Sequence, residues 1–205
     1  MANEIERAEP PALPLAPEEY RRPFMDQNSN VLRLFFNRIV NSLNTLLSTD
    51  DGGKFLYMPR GLFYSTTDQA AVATNTGYPV EFENTYIESG ISIVDDTEIT
   101  VSADGVYNFQ VTLQTAHTNS SDVKITTWIN KNGTDVTYGG QEQTIKGNAN
   151  QPVFWNFSID LTAGQYIEMY WATADLALSL DSTAPTSPHP GIPSAVVAVS
   201  FVSNL

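Results

Sequence analysis

The 205-residue chain has no cysteine. That removes disulfides and thiolate metal centres and leaves the redox compartment unmarked. Histidine is scarce as well, with only His117 and His189. Neither stands in a G-x-S-x-G or H-E-x-x-H context, so no catalytic residue is assigned, and both histidines read as loop residues. Basic residues are scarce in the C-terminal portion: residues 61–205 hold three Lys/Arg against fifteen Asp/Glu, while residues 1–60 hold seven against eight. A net charge of −12 over residues 61–205 repels a phosphate backbone and argues against a nucleic-acid partner. No apolar run approaches the ~18–20 residues of a membrane span, so no membrane insertion is expected. The opening MANEIERAEPPALPLAPEEY lacks a charged-then-apolar signal, and synthesis in a cytoplasm is expected. No glycine-rich phosphate loop joins a strand to a helix, and no cofactor is implied.

The residues that are present divide the chain into regions. Residues 1–28 hold five prolines, which remove backbone donors and favour extended chain. This segment reads as an arm whose Leu13, Leu15, Tyr20 and Phe24 are suited to lie in a partner's groove. Residues 29–50 read as one amphipathic helix, with Asn28, Ser29 or Asn30 as the cap and Gly52 and Gly53 beyond its end. Leu32, Phe36, Ile39, Leu43 and Leu46 are spaced 4-3-4-3, the rhythm of a coiled-coil seam. Two heptads also suit a helix docked on its own domain; self-association is the preferred reading.

After a linker at 51–62 the period changes to two. GVYNFQVTLQT alternates Tyr107, Phe109, Val111 and Leu113 against a more polar face. DVKITTWINKNGTDVTY reads as two strands joined at Asn132-Gly133. QPVFWNFSIDL puts Val153, Trp155, Phe157, Ile159 and Leu161 on one side, and a turn at Ala163-Gly164 leads into another strand. IPSAVVAVSFVSNL is apolar on both faces, which predicts a strand buried from two sides. Residues 63–205 therefore read as an all-β sandwich. Asp95, Asp96 and Glu98 are hard oxygen ligands, yet they lack calcium-loop spacing and no metal site is assigned to them.

GVYNFQVTLQT, preceded by DDTEITVSAD, resembles the G-x-Y-x-F signature of the tumour-necrosis-factor and complement-globular-head jelly rolls. TWINKNGTDV resembles that family's mid-domain hairpin and IDLTAGQYIEMYW its L-x-x-G-x-x-[IV] hairpin. The segments WINKNGTDV, FWNFSIDLTAGQYIEMYW and HPGIPSAVV resemble virion proteins of tailed phages, those of marine and cyanobacterial phages above all. The resemblance covers about residues 85–205. It implies a mainly β chain: an antiparallel jelly roll carried behind an extended arm and one α-helix. It also implies a homotrimer, contacts with other virion proteins of the head or tail, and binding or structural duty in place of catalysis. A virion assembled in the host cytoplasm is the implied location, with capsid decoration, fibre or host-surface contact as the duty. A carbohydrate-binding receptor module is the alternative, with Trp128 and Tyr138 as candidate glycan contacts. A small glycan hydrolase is the remote alternative.

Overall fold

The computed structural model describes Glu19, residues 22–47 and residues 58–205, with helix side chains described as far as Asn44. The chain divides into two compact units, Met1–Tyr57 and Met58–Leu205. Leu13, Leu15 and Tyr20 of the arm, and the linker over 51–57, lie outside the described residues.

In the first unit helix α1 runs Arg22–Leu47. It starts seven residues earlier than the cap-type residues at 28–30 predict. Pro23 is the physical reason: in a first turn its missing N–H is unpaired anyway, and its fixed φ already suits a helix. Asn28, Ser29 and Asn30 are therefore interior, and Asn30 accepts a 3.0 Å bond from Arg33 one turn on. Phe24 is a helical, half-buried residue and not part of an extended arm. Along the anticipated seam Leu32 and Ile39 are half-buried, whereas Phe36 and Leu43 are open in the single chain. Leu46 lies in the helix, its side chain outside the described residues. No described helix is long and apolar enough to cross a membrane.

The second unit is a sandwich of two antiparallel sheets. Its strands are β1 (Arg60–Ser65), β2 (Gln69–Ala70), β3 (Tyr78–Pro79), β4 (Asn84–Ser89), β5 (Ile91–Val94), β6 (Glu98–Val101) and β7 (Gly105–His117). They continue with β8 (Val123–Lys131), β9 (Thr134–Ile145), β10 (Ala149–Leu161), β11 (Tyr166–Thr173), β12 (Leu178–Leu180) and β13 (Ala195–Ser203). In the first sheet β7 is the hub. β10 pairs with it along its whole length, and β13 and β12 share its other side end to end. β1 and then β4 follow β13, and β2 follows β12. The second sheet runs β5-β6-β11-β8-β9, with β3 beside β11.

The two-residue rhythm decides what goes inside. On β7, Tyr107, Phe109, Val111 and Leu113 are all buried, as their alternation predicts. Phe109 stacks on its cross-strand partner Phe157 at 4.9 Å, and Tyr107 meets Phe201 edge-on at 5.6 Å. Tyr107 Oη donates to the Ala103 carbonyl at 2.7 Å, and burial pushes its phenol up to about 12. Along β10, Val153 and Leu161 are buried while Trp155, Phe157 and Ile159 are half-covered, because β10 is an edge strand. Gln141 of β9 donates to the β10 carbonyl of Phe154, satisfying an acceptor that the open edge leaves unpaired.

Two hairpins show why their turn residues are where they are. Asn132 (φ 50°) and Gly133 (φ 78°) turn β8 into β9. Asp95 (φ 50°) and Asp96 (φ 61°) make the same left-handed pair between β5 and β6, closed by Thr97 N–H on the Val94 carbonyl. The acidic VDDTE run is thus a hairpin turn.

Two strand readings are corrected. β13 is buried on one face only: Ala195, Val197, Val199 and Phe201 point inward, whereas Val196 and Ala198 are half-covered and Val202 is exposed. One sandwich has one core, so the second apolar row finds no cover within it. The sandwich also begins before residue 63, because β1 starts at Arg60 inside the predicted linker. Its signal is masked by Gly61, which is required where any Cβ would come within 2.6 Å of the Phe63 ring.

Candidate functional site

The sandwich presents two outward faces with different chemistry. On the first sheet the registers place Leu62 and Tyr64 of β1, Val196 and Ala198 of β13, Asn108, Gln110 and Thr112 of β7, and Phe154 and Asn156 of β10 on the outside. Ile87 of β4 adjoins Leu62. Tyr86, Phe154 and Val202 are exposed in this single chain. By the same registers the charged members of this face are Arg60 and Asp160, both at strand ends. An amide cluster occupies one side of it, where Asn108 Nδ2 donates to Asn156 Oδ1 at 2.8 Å and to Ser158 Oγ at 3.2 Å. In a unit with fifteen acids over residues 61–205, a broad face nearly free of charge is the unusual feature.

The outward face of the second sheet carries aromatics and charge. Trp128 of β8 stacks on its register partner Tyr170 of β11, with ring centroids 5.7 Å apart. Its indole N–H donates to Asp135 Oδ1 at 2.9 Å, and the Gly77 backbone passes so close that a Cβ there would lie 2.7 Å from the ring. Trp128 is therefore a packed residue, with its polar edge already engaged. Glu168, Tyr166 and Asn130 share the face, and Lys124 pairs with Glu142 at 2.7 Å at the far end of β8. Burial raises the phenols of Tyr166 and Tyr170; Glu98 and Glu168 add to the first, Glu168 and Asp135 to the second. Tyr138 sits in an irregular stretch of β9, fully exposed and with a φ of 61° that few aromatic residues adopt. Of the two proposed glycan contacts, only Tyr138 is free to meet a ligand ring.

His117 differs from the loop reading. It ends β7, is buried, and places Nε2 3.2 Å from Asp175 Oδ2 and Nδ1 3.4 Å from the Lys146 carbonyl. Asp175 also accepts from Asn119 Nδ2 at 2.6 Å. The Asn119 bond, then the Ala177 N–H and His117, hold its carboxyl below the ordinary carboxylate range. The cluster ties the end of β7 to two loops, and with both nitrogens engaged the ring presents neither to a hydroxyl nucleophile. His189 does lie in a loop and is exposed. Among the described residues no three His, Asp or Glu side chains gather as metal ligands.

Sequence reasoning missed Tyr170, Asp135 and His117's partner Asp175. The alternation in TWIN and QYIEMYW marks the outward residues, but their juxtaposition depends on β8 and β11 being neighbours. No protein-family model and no curated protein sequence matches the chain.

Proposed function

We propose that this protein is a structural component of a tailed-phage virion: a homotrimeric jelly roll of the tumour-necrosis-factor type, held to the head or tail by its N-terminal arm and helix. The observation that carries this reading is the nearly uncharged outward face of the first sheet. In a chain of net charge −13, copies repel through most of their surface, and this face is where they meet without bringing carboxylates together. The unburied row of β13, with Val196, Ala198 and Val202, lies at the middle of it.

The strand order supports the jelly-roll part. Numbering the eight principal strands β1, β6, β7, β8, β9, β10, β11 and β13 as one to eight, the sheets read 1-8-3-6 and 2-7-4-5, an antiparallel two-sheet arrangement of the jelly-roll kind. Helix α1 supports tethering, since Phe36 and Leu43 leave an apolar stripe open at 58% and 47% exposure. Such a stripe gains roughly 1.5–3 kcal/mol per large side chain when covered. Non-catalytic duty fits a His117 whose ring nitrogens are both engaged. In this reading the protein decorates the capsid, forms part of a fibre or contacts the host surface, after assembly in the host cytoplasm.

Tyr138 favours a second reading, a carbohydrate-binding receptor module, because its ring is fully exposed and its backbone sits at a sparsely populated positive φ of the kind that clusters at ligand sites. The first reading is tested with Phe36→Asp combined with Ile39→Asp. The sandwich should stay folded while the protein fails to co-purify with particles, since charges in the stripe cannot be desolvated cheaply. Incorporation equal to wild type would contradict attachment through the helix.

A further inference from the structure

One row of side chains crosses three strands on the outward face of the second sheet. Asp135 of β9 is the register partner of Asn130 of β8, which is in turn the register partner of Glu168 of β11. Direct partners of this kind have Cβ atoms about 4.5–5.5 Å apart. Asn130, in the middle, is buried to 7% exposure, and its Oδ1 has no hydrogen-bond partner. The orientation of that amide follows from its neighbours. Nδ2 donates to Asp135 Oδ1 at 3.3 Å, and reversing it would set a carbonyl against a carboxylate. Oδ1 is thereby turned away from that bond, and Glu168 is the register partner on the other side of Asn130.

The flanking carboxylates are also underused. Asp135 Oδ1 takes both the Trp128 and the Asn130 N–H, while no hydrogen bond or ion pair among the described residues engages its Oδ2. Glu168 accepts from Thr97 Oγ1 through Oε1 at 3.2 Å. Among the described residues no lysine compensates the pair: Lys124 is held by Glu142, Lys131 reaches Asp160 at 3.1 Å and Lys146 is held by Asp122.

A buried carbonyl oxygen flanked by two carboxylates, all acceptors, calls for a cation. We propose that Asp135, Asn130 and Glu168 form a binding site for a hard divalent cation of the calcium class. Two carboxylates balance one such ion, and an amide carbonyl is an ordinary calcium ligand; solvent completes the roughly six to eight oxygens that calcium takes. A bound ion would lock β9, β8 and β11 together beside the Trp128–Tyr170 pair. This site stands independently of trimer formation and of virion attachment.

The bracketing aromatics supply the test. Full-length protein is freed of metal by chelation, titrated with terbium under tryptophan excitation, and then challenged with calcium. The expected result is saturable sensitised emission that calcium displaces. Asp135→Asn and Glu168→Gln, both isosteric, should each weaken terbium binding roughly tenfold or more, while Glu142→Gln on the same sheet leaves it unchanged. Absence of saturable emission, failure of calcium to displace it, or wild-type binding by either of the first two variants overturns the proposal.

Discussion

The two outward faces of the sandwich are built from strands of similar alternation, yet they spend their polar residues differently. The first sheet shows amides, hydroxyls and aliphatic groups outward, with charge confined to Arg60 and Asp160 at its ends. The second shows Lys124, Glu142, Glu168 and Asp135 around a stacked Trp128–Tyr170 pair. A face meant for water needs charge to stay soluble, and the second sheet has it. A face meant to be covered by a copy must avoid charge, because desolvating an unpaired carboxylate is costly. On the proposed reading, contact between copies falls to the first sheet and the second faces solvent or ligand.

The largest effect is expected from charging the first face. Ala198→Glu places a carboxylate between Gln110 and Leu62 in the middle of that sheet. It should convert the assembly to monomers, seen by size-exclusion chromatography, while β-type circular dichroism persists. Assembly unchanged by this substitution would move the interface elsewhere.

A smaller effect should follow on the second face. Trp128→Ala removes the stack on Tyr170, the contact with Gly77 and the bond to Asp135. A loss of about 2 kcal/mol in denaturant unfolding is expected, with the oligomeric state unaltered. Loss of assembly from this variant would erase the distinction between the faces.

The smallest effect concerns neither face, and so calibrates both. Asp175 is held below its ordinary value of 3.8 by Asn119, the Ala177 N–H and His117. A lowered carboxylate stabilises the fold fully above its unfolded value, and this contribution is lost as pH falls through the folded value. Asp175→Asn should therefore lower stability slightly at neutral pH and flatten its decline below pH 3.8. An unchanged acid limb in a pH series of thermal melts would remove Asp175 from that role.

What the sequence made legible follows from the range of the physics involved. Inside and outside along β7, and the Asn132-Gly133 turn, are set by residues a few positions apart, so alternation and turn chemistry reveal them. The start of α1 was hidden because Pro23 reads as a breaker in isolation and as a favourable first-turn residue in place. His117 read as a loop residue because its partner Asp175 lies 58 positions away. The uncharged face was hidden for a related reason. Each strand contributes only two or three of its residues, and the absence of charge becomes visible when β1, β13, β7 and β10 lie side by side. The Asp135–Asn130–Glu168 row has the same origin in neighbouring strands.

The central claim is that copies of this chain assemble through the first sheet, and its most direct test is the mass of the full-length protein in solution. Multi-angle light scattering across a dilution series should give a species of three times the 22.5 kDa chain mass. A stable 22.5 kDa monomer at every concentration would contradict the account.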